Sequence, residues 1–118
     1  MSNEPITIYH NPRCSKSRQT LALLEDAGIS PRVIEYLDHP PTAEELATLA
    51  KQLDMQPGEF IRSKEAAYNQ LIPPAGDRSP AELLAAMAAN PILIERPIVV
   101  RGNRAVLGRP PENVQQLL

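Results

Sequence analysis

The chain contains a single cysteine in 118 residues, so it can form no internal disulfide and cannot by itself build a cysteine-based zinc site. Its two histidines, His10 and His39, stand far apart with no third ligand at a suggestive spacing, and no metal is expected. Long apolar runs are missing too. Nothing approaches the roughly 18 residues of a membrane span, and Met1-Ser2-Asn3-Glu4-Pro5 lacks the charged-then-apolar pattern of a leader. The expectation is a cytoplasmic protein with no membrane partner. A net charge of −2 gives no electrostatic reason to expect nucleic acid as a partner. Repeats, heptads and low-complexity tracts are absent, and the length suits one domain with one ordinary core.

What is present begins with that lone thiol. Cys14 lies in His10-Asn11-Pro12-Arg13-Cys14-Ser15-Lys16-Ser17-Arg18, where strand-like Ile6-Thr7-Ile8-Tyr9 gives way to a helix-like run from Ser15 to Ala27. Leu21, Leu24 and Ala27 recur at helical spacing, and Gly28 supplies a C-terminal cap. A thiol at such a junction faces unsatisfied backbone N–H groups and the positive end of the helix dipole, while His10, Arg13, Lys16 and Arg18 add donors or cations. All of these favour thiolate, which makes Cys14 the candidate nucleophile; the competing reading is an inert, packed small hydrophobe. His10, four residues upstream across a turn, either approaches the sulfur or packs against the end of the sheet. His39, in Asp38-His39-Pro40-Pro41, reads as a solvated loop residue.

Arg32 to Tyr36 reads as a second strand, so the first 36 residues predict a βαβ unit with parallel strands. Cys14 then sits at the C-terminal end of the first strand, where open α/β sheets place their ligands. Thr42-Ala43-Glu44-Glu45 is a capping-box sequence opening a helix to about Leu53, Pro57 with Glu59 suggests a short helix through Ile61, and Ser79-Pro80-Ala81-Glu82 opens another that ends near Asn90-Pro91. The stretch from about 42 to 90 is therefore expected to be helical, with Ile72 to Asp77 as an exposed proline-rich bend. Pro97 to Val100 and Arg104 to Leu107 flank the turn Gly102-Asn103 as an antiparallel hairpin, and Pro111 to Leu118 closes the chain as a helix. The order βαβ, helical insertion, ββ, α predicts an α/β fold: a thioredoxin-like mixed sheet with an inserted all-helical region, in one domain spanning 1–118.

Three arginines bear on what a thiolate could do there. Arg96 precedes Pro97, Arg109 precedes Pro110, and Arg62 follows the short helical piece. Residues before proline are held away from helical dihedrals, so Arg96 and Arg109 project from extended backbone. Guanidinium groups gathered near a thiolate would bind a tetrahedral oxyanion by bidentate hydrogen bonds and neutralise its charge for attack. Taken singly, each arginine also fits the ordinary reading of an exposed surface residue.

Three separated blocks carry a family resemblance: His10-Asn11-Pro12-x-Cys14-x-x-Ser17-Arg18, then Tyr36-Leu37 with Pro40-Pro41, then Pro91-Ile92-Leu93-Ile94-x-Arg96-Pro97-Ile98-Val99-Val100 followed by Gly108-Arg109-Pro110. Together they resemble the glutaredoxin-linked, ArsC-like arsenate reductases, in order from Ile6 to Leu118. The resemblance implies a thioredoxin-like fold with a helical insertion and reduction of arsenate to arsenite, with glutathione as co-substrate, glutaredoxin as protein partner and no bound cofactor. By position it implies Cys14 as nucleophile, His10 as the group that helps keep it ionised, and Arg62, Arg96 and Arg109 as oxyanion ligands. It also implies a cis peptide between Arg96 and Pro97. The chain ends soon after the Arg109 block, as do shorter chromosomal relatives, and with no second thiol an external one must resolve the sulfur. Glu95 either orients Arg96 or competes with the anion for it. Spx-type regulators share the implied fold but typically use a Cys-x-x-Cys switch; here Ser17 fills the second place, which with the arginines favours an enzyme over a redox-responsive regulator. A glutathione-dependent oxidoreductase acting on another substrate is the remaining alternative.

Overall fold

The computed structural model describes residues 4–62, 68 and 79–118; the bend expected at 72–77 lies outside them. Two compact units appear, one holding the chain up to His39 together with Arg96–Leu118, the other Pro40–Glu95.

Strand alternation builds the first unit. β1 (Ile6–His10) buries Ile6, Ile8 and His10 and leaves Thr7 and Tyr9 half exposed, the period of two expected of a strand with one face on a core. β2 (Arg32–Glu35) runs parallel to it with His10 opposite Glu35, and α1 (Ser15–Asp26) connects the two. That helix closes at Gly28, φ +80°, whose N–H donates to Glu25 O at 2.9 Å while Ile29 N–H donates to Leu24 O at 3.0 Å, the paired bonds of a glycine-terminated helix. β3 (Ile98–Arg101) lies antiparallel on the other side of β1, with Ile8 opposite Val99. β4 (Arg104–Leu107) returns antiparallel to β3 across the Gly102-Asn103 turn. The strand order β2-β1-β3-β4 makes a mixed sheet with β1 and β3 inside, a thioredoxin-like α/β architecture. Ile6, Ile8, Leu24, Val99, Val114 and Leu117 form its core.

The closing segment differs from expectation. Pro111–Leu117 is a 3-10 helix and not an α-helix. Pro111, Val114 and Leu117 recur every third residue and all are buried, in phase with three residues per turn. Arg101 Nη1 fastens this segment by donating to Leu117 O at 2.8 Å.

In the second unit α2 (Ala43–Leu53) starts from a reciprocal cap, Glu45 N–H to Thr42 Oγ1 at 3.1 Å and Thr42 N–H to Glu45 Oε1 at 3.0 Å. The short α3 (Pro57–Phe60) follows, and α4 (Pro80–Ala89) opens on the same device between Ser79 and Glu82. α4 packs on α2, on α3 and on the 3-10 turn Pro91–Leu93. Phe60, Leu46, Met87 and Leu93 are fully buried. No helix among the described residues is long and apolar enough to cross a membrane.

Candidate active site

Cys14 is the N-cap of α1, with extended dihedrals (φ −95°, ψ 124°) and a half-buried side chain. The loop that delivers it is fixed by local hydrogen bonds. Asn11 Oδ1 accepts from Arg13 N–H at 3.0 Å, and Asn11 O accepts from Cys14 N–H at 3.0 Å, so the chain turns tightly between the strand and the helix. Arg18 N–H then donates to Cys14 O at 3.0 Å as the first helical bond, and Arg18 Nη1 reaches back to Pro12 O at 2.9 Å. The N–H groups at the start of α1 have no carbonyl one turn earlier to receive them, and those of Ser17 and Lys16 favour the ionised sulfur.

Two arginines of the same unit meet this thiol. Arg96 hydrogen-bonds and attracts the sulfur, and its Nε and Nη1 are shielded from solvent. Arg109 places Nη1 4.0 Å from Cys14 Sγ and donates to Arg96 O at 3.3 Å. Both precede prolines, and both peptide bonds, Arg96–Pro97 and Arg109–Pro110, are cis. Burial alone pushes the Cys14 thiol up. The Ser17 N–H, the charge and hydrogen bond of Arg96, and the Lys16 N–H outweigh it, so the thiol lies below its ordinary value.

His10 reaches the site through another residue. It is buried in phase with Ile6 and Ile8, and its Nδ1 lies 2.6 Å from Ser17 Oγ, which also accepts from Asn11 N–H at 3.0 Å. Burial is the main cause that depresses His10 below its ordinary value; Glu35 opposes and Arg18 adds to the effect. The imidazole is thus neutral at pH 7 and brings the sulfur no positive charge.

Arg62 belongs to the second unit. Its backbone N–H donates to Leu93 O at 2.7 Å, and its Nε lies 4.0 Å from Glu95 Oε1, with both side chains about a quarter exposed. Glu95, expected either to orient Arg96 or to compete with the anion for it, has Arg62 as an ion-pair partner. His39 is exposed. Among the described residues no group of three His, Cys, Asp or Glu side chains is gathered as a metal site.

Sequence reasoning missed Ser17 and Gly108. Ser17 is fully buried although polar, so apolar periodicity could not point to it; its place three residues after the N-cap was the available signal. Gly108 lies where a Cβ would meet Thr20 Oγ1 at 2.6 Å and Pro97 Cγ at 2.7 Å, and its N–H donates to Pro97 O at 2.9 Å. That close approach seats the residue preceding Arg109 against α1.

The chain is similar to known proteins along nearly its whole length. Residues 9–117 match the ArsC family. An arsenate reductase of Haemophilus influenzae is 46% identical over 114 residues, covering 96% of this chain and 98% of its own length. The uncharacterized protein YfgD of Escherichia coli is likewise 46% identical over 114 residues, with 96% of both chains covered. The structure of an arsenate reductase from Vibrio cholerae superposes with a TM-score of 0.94 at 49% identity, over 99% of this chain and all of that one.

Proposed function

The chain belongs to the ArsC family, and from that premise we propose that it reduces arsenate to arsenite through Cys14, with glutathione as co-substrate and glutaredoxin as the protein that regenerates the thiol. The observation that carries this reading is the thiol at the start of α1 with the Arg96 and Arg109 guanidiniums on it. Cationic forks match the tetrahedral arsenate anion, and the amides and arginines that lower the thiol supply the nucleophile at neutral pH.

In this scheme the Cys14 thiolate attacks As(V), one arsenate oxygen leaves as water after protonation, and a sulfur–arsenic bond forms. Glutathione thiolate then attacks the Cys14 sulfur. The electron pair of the sulfur–arsenic bond stays on arsenic, which leaves as arsenite, and Cys14 is left in a mixed disulfide with glutathione. Both electrons thus come from two sulfurs, one of which must be external because the chain has a single cysteine. A glutaredoxin thiolate removes the glutathione and frees Cys14. Arg96 and Arg109 bind the oxyanion, with Arg62 as the third ligand of the scheme; His10 supports the ionised sulfur. A cytoplasmic setting, where thiols are kept reduced, suits this chemistry.

The test is arsenite formation in a mixture of the protein, arsenate, glutathione and glutaredoxin, repeated with each omitted and with Cys14→Ser. Turnover that needs all components and vanishes in Cys14→Ser supports the scheme. Turnover without glutathione, or in the serine variant, removes it.

A further inference from the structure

We propose that Ser17 is a positioning residue of this site: its buried hydroxyl ties the end of β1 to the first turn of α1 and so holds in place the helix start that Cys14 caps. Four observations converge on it. Ser17 is fully buried, unusual for serine on a helix's first turn. Its Oγ meets His10 Nδ1 at 2.6 Å, from the last residue of β1. The same oxygen accepts from Asn11 N–H at 3.0 Å, from the first residue of the loop. Finally, Ser17 lies in the first turn of the helix whose N-cap is Cys14. One side chain therefore joins strand, loop and helix around the thiol, and what it joins includes the helix start that Cys14 caps.

This assigns His10 an indirect role. A buried neutral imidazole acts on the sulfur by orienting Ser17, through a hydrogen bond, and not through a positive charge. The groups facing His10 are Glu35 from β2 and Arg18 from α1; those facing Cys14 are Arg96 and Arg109. None of them is Ser17's hydroxyl, so its removal leaves every charge around the thiol in place. A change in thiol ionisation then reports position alone.

The proposal needs Cys14 only as a reactive thiol. Its test uses no arsenate, so its failure is separable from failure of the arsenate reading. The rate of Cys14 alkylation by iodoacetamide is measured against pH for the wild-type protein, Ser17→Ala, His10→Asn, His10→Leu and Leu24→Ala. Ser17→Ala should raise the midpoint by about one pH unit, a roughly tenfold loss of thiolate below the midpoint. His10→Leu should raise it similarly, and His10→Asn, which keeps a hydrogen-bonding atom close to the Nδ1 position, should raise it less. Leu24→Ala, a fully buried core truncation on the same helix, should lower the thermal midpoint without moving the thiol midpoint. An unmoved midpoint in Ser17→Ala overturns the proposal. So does a larger shift in His10→Asn than in His10→Leu. Should Ser17→Ala fail to fold, the two His10 variants decide alone, since a contribution from imidazole charge would make both equally impaired.

Discussion

Replacing Gly108 by alanine tests whether the site depends on the contact between α1 and the chain leading to Arg109. The added methyl would lie 2.6 Å from Thr20 Oγ1, 2.9 Å from Thr20 Cγ2 and 2.7 Å from Pro97 Cγ. Thr20 is fully buried and donates to Lys16 O at 2.9 Å and to Gly108 O at 3.3 Å, so neither it nor the proline ring can swing aside. Backbone must move. Overpacking of this kind costs about 1–3 kcal/mol, which for a domain of this size is a fall of about 4–12 °C in thermal midpoint. The displaced residue is followed directly by Arg109, whose guanidinium stands 4.0 Å from the Cys14 sulfur, so the variant should also lose thiol activation at temperatures where it is fully folded. Calorimetry and the pH profile of Cys14 alkylation measure the two effects. A midpoint within about 1 °C of wild type, with unaltered alkylation, would refute the reasoning.

Arg96→Lys and Arg109→Lys keep the charge but lose the planar fork, and arsenate-dependent kcat/KM should fall by about 10–100-fold, the equivalent of one or two charge-assisted hydrogen bonds, with little change in thermal midpoint. Arg104→Lys, at an exposed hairpin position, is the control and should retain full turnover. For pH dependence, the folded value of His10 lies below its ordinary value of about 6.5, so the unfolded chain takes up the proton first as pH falls. Stability from the neutral imidazole is complete above that value and declines below it, by no more than about 1.4 kcal/mol per pH unit. Denaturant unfolding at several pH values should show this slope in the wild type and a shallower one in His10→Asn. Thr42→Ala removes the reciprocal cap of α2 and should lower stability by about 0.5–2 kcal/mol while leaving the Cys14 alkylation profile unmoved.

The parts of the fold that rest on local rules were readable in the chain. The junction at Cys14, the glycine end of α1, the two Ser/Thr caps and the Gly102-Asn103 hairpin each follow from a few adjacent residues whose preferences point one way. Tertiary effects were less visible. The buried face of α1 is Ser17, Thr20 and Leu24, two of the three polar, so apolar spacing points instead to Leu21 and to Ala27, which is exposed. The cis bond at Arg96–Pro97 was expected only from the family resemblance, and the one at Arg109–Pro110 was not expected at all, because an X-Pro pair by itself leaves cis at about 5–6%. The period-three burial of Pro111, Val114 and Leu117 was present in the sequence but is compatible with either helix type until the core is known. The arginine pair was identified by motif, while the way His10 meets Ser17 depends on strand phase and helix phase together.

The central claim is that Cys14 carries the arsenate-dependent redox step and passes its sulfur to an external thiol. Intact-mass analysis of the protein after incubation with arsenate and glutathione, with glutaredoxin left out, tests it most directly. The account predicts a single glutathione adduct on Cys14 that forms only when arsenate is present, disappears on adding glutaredoxin, and is absent in Cys14→Ser. An adduct that forms equally without arsenate, or arsenite released with Cys14 never modified, would contradict it.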